Sequence, residues 1–83
     1  MHELDLQADR WQVDEAIDAY VDWREECLSV SEAYERWERA PVGEAAFAFV
    51  AYRAALDREE HASQTYADRL TRMACAGLDQ VAP

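Results

Sequence analysis

Residues 13–37, VDEAIDAYVDWREECLSVSEAYERW, decide the fold of this chain. Within them the apolar side chains Val13, Ala16, Tyr20, Trp23, Cys27, Val30, Tyr34 and Trp37 recur at alternating steps of three and four. That spacing lays them along one stripe of an underwound helix, the a and d positions of a coiled-coil seam. Ile17 and Leu28 widen the stripe. Upstream, Asp9 stands three residues before Gln12, the spacing of a capping box, so helix 1 is expected to begin near residue 9. Glu32 with Arg36, and Glu35 with Arg39, add favourable i,i+4 pairs that carry the helix to about residue 40. Ser29 before Glu32 offers a second capping box, but the seam keeps its phase through it.

Pro41, Val42, Gly43 and Glu44 form the turn. Proline cannot continue the preceding helix, and Gly43 tolerates the angles of a tight connection. The pattern resumes as Val42, Ala45, Phe49, Tyr52, Leu56, Glu59, Ser63, Tyr66, Leu70 and Met73, which predicts helix 2 over about 44–76, closed by Gly77 at its C′ position with Leu78 folding back on Met73. Residues 1–8 and 79–83 are expected to fray. The expected fold class is all-α: one domain over residues 1–83, a two-helix antiparallel hairpin, coiled-coil-like, associating into a four-helix bundle. Pairing about the turn sets Trp37 against Ala45, Tyr34 against Phe49, Cys27 against Leu56, Trp23 against Glu59 and Tyr20 against Ser63.

The chain has 83 residues, 51% of them hydrophobic and 31% charged, with three Trp, four Tyr and two Phe. Such a composition forms a core and is not that of a disordered segment, yet a domain of this size is marginal alone. The formal net charge is −10, with no Lys, and the first half is the more acidic. Nucleic acid and anionic membrane are poor partners for it, since both select Lys and Arg. Two cysteines, Cys27 and Cys75, make no disulfide framework, and the hairpin would hold them too far apart to join. Neither a signal peptide nor an apolar run long enough to cross a bilayer is read in the sequence, so a cytoplasmic location is expected.

An acidic residue interrupts the apolar seam at Glu59. A carboxylate there is costly unless hydrogen-bonded, and the simplest reading is a polar layer of Tyr20, Trp23, Glu59 and Ser63, in which Glu59 accepts from the Trp23 indole and a Tyr20 or Tyr66 hydroxyl and fixes register and partner choice. An alternative is a ferritin-like metal-binding assembly of paired hairpins, with Asp57, Glu59, Glu60 and His61 as candidate ligands. The Glu-x-x-His spacing of that class fails here, because Arg58 stands three residues before His61. A third reading is an acidic inhibitor or chaperone that takes a basic protein partner on the ridge of Asp14, Asp18, Asp22 and Glu25.

The run AAFAFVAY at 45–52 is apolar on every side, and a helix of that kind is buried on every side. It assigns self-association to Phe47, Phe49, Val50, Tyr52 and Leu56, with a homodimer as the simplest oligomer. No phosphate-binding glycine loop, metal-spaced thiol pair or cofactor motif is present, and two helices make no pocket for a Ser/His/acid triad, so no cofactor and no enzyme acting alone is expected. Tyr34 and Glu38 have the Tyr-x-x-x-Glu spacing of the type VII secretion signal, whose carriers are small helical hairpins. They precede the turn, however, and Trp37, Glu38 and Arg39 lack that family's Trp-x-Gly, so the chain is not assigned to it. The expected role is a small non-enzymatic module for interaction and assembly.

Overall fold

The alanine-rich, proline-poor halves of the chain form two helices in a computed structural model that describes the backbone of residues 2–81 and the side chains of residues 10–75. Helix α1 spans His2–Arg39 and helix α2 spans Ala45–Val81, and they pack antiparallel against each other as a hairpin with Cα extents of 63 × 19 × 12 Å. Helix α1 runs unbroken through Ser29. Its start lies upstream of the capping-box position: Glu3, Leu4, Leu6 and Gln7 are good helix formers, and an Asp at a capping spacing does not stop a helix that can already propagate from before it. Helix α2 likewise continues through Gly77 to Val81. One glycine costs a helix only about 1 kcal/mol, so the expected cap and the expected frayed ends at 2–8 and 79–81 give way to helix. The expected contact of Leu78 with Met73 lies outside the described side chains.

Proline ends α1 by a specific exchange. Pro41 has no N–H to give the Trp37 carbonyl, which accepts from the Ala40 N–H instead at 3.2 Å. Glu44 then donates to the Pro41 carbonyl at 2.8 Å, and its own carbonyl opens α2 by accepting from Ala48 at 3.1 Å. Arg36 and Arg39 occupy the last turn of α1, where cations oppose its dipole favourably. Val42, expected to open the second seam, instead stands 97% exposed at the tip. Gly43 is not used for its conformational freedom, since it has no positive φ, and a Cβ built on it meets nothing within 4 Å. Gly43→Ala should therefore stabilise the protein by about 0.4–1 kcal/mol through the unfolded chain, measurable by urea denaturation; a loss of stability would show that the turn does need glycine.

Seam phase and seam orientation differ in how they meet the sequence pattern. Taking Val13, Tyr20, Cys27 and Tyr34 as a and Ala16, Trp23, Val30 and Trp37 as d, the side chains driven between the helices are those at d and at g, one position before each a. Among the described residues the buried ones are Ala16, Ala19, Ala33 and Ala55, of which Ala55 is 1% exposed. Three of these four, Ala19, Ala33 and Ala55, are at g. In α2 the other g positions are Ala48, Ala62 and Arg69, all half-buried. Alanine lets the two backbones approach along this edge, and the helices have rolled toward it. The a side chains are left on the flank: Val13, Tyr20, Tyr34, Phe49 and Leu70 are each 37 to 43% exposed.

The register follows the turn. Residues equidistant from Val42 lie at one height, as the ion pairs between the helices show: Arg58 meets Glu26 at 3.2 Å and Arg69 meets Glu15 at 2.6 Å. The aromatic contacts therefore run slightly further along α2 than expected. Trp37 packs on Phe49 and Tyr52, beyond the expected Ala45, and Tyr20 packs on Tyr66, beyond the expected Ser63.

Candidate functional site

Two aromatic clusters pin the hairpin. Near the turn, Trp37 stacks on Tyr52 at 5.6 Å and 17° and tilts against Phe49 at 5.0 Å, while Tyr34 meets both Trp37 and Tyr52. Further down, Trp23 stacks on Tyr66 at 5.7 Å and 20°, and Tyr20 sets its ring edge to Trp23 and tilts onto Tyr66. Each pair of this kind adds roughly 0.5–1.5 kcal/mol beyond its buried area.

Glu59 belongs to the second cluster. The Trp23 Nε1–H donates to Glu59 Oε1 at 2.8 Å, in a half-buried setting. No tyrosine hydroxyl joins that bond among the described residues. Ser63 turns away from the layer, its hydroxyl donating to the Glu60 carbonyl of its own helix at 2.8 Å; a serine on a helix can always satisfy itself this way. The polar feature is thus a Trp23–Glu59 pair with Tyr20 and Tyr66 as its apolar walls. Replacing Glu59 with Leu removes the desolvation cost of a seam carboxylate and leaves the half-buried Trp23 N–H without its acceptor, so Glu59→Leu should raise stability by about 1 kcal/mol at most while loosening the choice of oligomer. Urea denaturation reads the first effect and native mass spectrometry the second. An unchanged oligomer distribution would count against Glu59 as a specificity element.

The candidate metal ligands are not brought together within the chain. Glu59 is in the seam and engaged, whereas Asp57, Glu60 and His61 are exposed on other sides of α2. Asp57 and His61 line a groove with Asp22, Glu25 and Glu26 of α1, but Arg58 crosses it to bond Glu26. Among the described residues no group of three or more His, Cys, Asp or Glu side chains is placed to hold a metal ion. The acidic ridge of Asp14, Asp18, Asp22 and Glu25 is exposed along its length.

The five residues assigned to self-association do not share a face. Phe47 and Phe49, two apart on a helix, point to nearly opposite sides. Phe47 is 79% exposed and Val50 65% exposed, both away from the seam, while Tyr52 is taken up by Trp37 and Tyr34 within the chain. Only Phe49 and Leu56 stand on the flank where the a positions line up.

That flank is the candidate site. At the open end of the hairpin, Val13, Ile17, Tyr20, Tyr66, Leu70 and Met73 line one apolar groove. Phe49, Leu56 and Tyr34 continue the same a edge toward the turn. The ion pairs Arg58–Glu26 and Arg69–Glu15 lie on the opposite flank, beyond the g edge. No family model, curated protein or solved structure matches this chain. The site therefore rests on its own chemistry. Ile17, which widens the stripe in the sequence, belongs to this flank: with Val13 and Tyr20 it repeats at i, i+4 and i+7, a signal that marks the flank once the g edge is filled by alanine. No helix among the described residues is long and apolar enough to cross a membrane.

Proposed function

We propose that this chain is a self-assembly module, whose a-edge flank is covered by a second copy to complete a four-helix bundle. The observation that carries the reading is the packing itself. With d and g turned toward the partner helix and a left half-exposed, each helix is oriented as in a bundle, where a and d together face the common centre. A single hairpin fills only half of that arrangement, and among the described residues the buried ones are four alanines with no large side chain.

Area supports the same occupant. A compact folded monomer of 9.5 kDa exposes about 5000 Å², whereas this chain exposes 6746 Å². The excess of about 1700 Å² goes with the elongated shape of the hairpin and leaves surface enough for a second copy, since obligate homodimers bury about 2000 Å² or more. Charge does not oppose it. The chain is strongly acidic, but the charged residues along this flank are Arg10, Arg24 and Arg53 against Glu38 and Glu60, with no excess of acid. The two free thiols, Cys27 and Cys75, suit a reducing compartment such as the cytoplasm.

Sedimentation equilibrium at micromolar concentration should give a species of about 19 kDa, twice the 9.5 kDa chain. A stable folded monomer would overturn the reading. One further role is compatible with the dimer: the exposed ridge of Asp14, Asp18, Asp22 and Glu25 points away from the covered flank and offers a docking side for a basic protein. Capture of such a partner should weaken as salt is raised and disappear when the four residues are neutralised; retention in either case would exclude it.

A further inference from the structure

Covering the a-edge flank with a second copy leaves two orientations open, and the residues on that flank distinguish them. We infer, resting on the self-assembly reading above, that the two hairpins lie with their turns at the same end, α1 of each copy along α2 of the other, so that Arg24 faces Glu60 of the second copy.

The apolar part of the flank runs from Val13 to Tyr34 on α1 and from Phe49 to Leu70 on α2. Its midpoints fall at Arg24 and Glu60, which are equidistant from Val42 and so stand at one height. Both side chains are exposed, and neither has an ion-pair partner within the chain among the described residues. A two-fold axis along the length of the hairpin keeps each height against itself and exchanges the helices. Arg24 then meets Glu60 twice, Val13 meets Leu70, Ile17 meets Ala67 and Cys27 meets Leu56. A two-fold axis across the hairpin lays α1 on α1 and α2 on α2. Full overlap of the apolar flank then centres Arg24 on Arg24 and Glu60 on Glu60, and like charges facing each other in a closing interface are costly. Neighbouring helices are antiparallel in both arrangements, so their dipoles do not choose between them and the facing charges do.

A spin label at Val42→Cys, in a Cys27→Ala, Cys75→Ala background whose dimerisation is checked by sedimentation, reads the orientation. Val42 is exposed at the tip and away from the flank. Dipolar spectroscopy should give an intermolecular distance of about 20 Å, since packed helix axes lie 8–10 Å apart and the labels add their linkers. A dimer with a distance above about 40 Å, as the 63 Å length of the hairpin imposes on the opposite orientation, would overturn the orientation and leave self-assembly standing. A monomer with no dipolar signal would overturn both. Arg24→Glu should also weaken dimerisation about tenfold, with recovery on mixing it with Glu60→Arg; an unchanged dissociation constant for Arg24→Glu counts against the pairing.

Discussion

Trp23→Ala should lower the stability of the protein by about 3 kcal/mol, near the bottom of the range for deleting a core tryptophan because the ring is half-buried. Three contributions vanish together. The indole stacks on Tyr66, receives the edge of Tyr20, and donates its N–H to Glu59 at 2.8 Å. The last loss is the costliest per atom, since Glu59 would remain in the seam without its donor. Against a total of roughly 5–15 kcal/mol for a folded domain, a change of this size brings the hairpin close to unfolding. Urea denaturation at fixed protein concentration measures it. Trp23→Ala in a Glu59→Leu background should cost less than Trp23→Ala alone, because no carboxylate is then abandoned; equal losses in both backgrounds would show that the 2.8 Å bond contributes nothing.

That bond was legible in the sequence because two independent patterns met on it. The three-and-four repeat fixes which residues share a stripe, and a turn at Pro41 fixes which of them stand at one height. Trp23 and Glu59 follow from those two facts alone. The roll of the helices about their axes was not legible in the same way. A heptad stripe says that a and d face inward together; it does not say which edge of the stripe meets the helix in the same chain and which is left over. The choice fell to Ala19, Ala33 and Ala55, whose small side chains allow close approach on the g side. Alanine reads as helix propensity in a sequence, and its meaning as a contact surface emerges only when a second helix is laid against it.

The same blindness left the excess apolar surface undivided among the faces of the helix. AAFAFVAY has no polar face, so composition pointed to the turn end of α2 as the place where a partner must bind. Geometry divides that run instead: Tyr52 is consumed by Trp37 and Tyr34, Phe49 stands on the flank, and Phe47 and Val50 face outward. The ends of the helices were misjudged for a related reason. Capping signals at Asp9 and Gly77 are local, whereas helix propagation depends on the summed propensity of what lies beyond them.

The division of that run sets up the sharpest test of the assembly. Leu56→Asp places a carboxylate in the middle of the a edge, beside Glu60, on a side chain already half-buried in the single hairpin. It should abolish the dimer. Because a lone hairpin buries only alanine among the described residues, loss of the second copy also removes most of the stability, by mass action. The wild-type melting temperature should therefore rise with protein concentration, while the variant should melt lower and independently of concentration. Val50→Asp provides the comparison, being 65% exposed and further round the helix than the a edge; a surface change of that kind alters stability by about 0.5 kcal/mol or less and should leave the dimer intact. If Val50→Asp dissociates the protein and Leu56→Asp does not, the contact lies on the outward side of α2 with Phe47, and the half-exposed a edge has some other use.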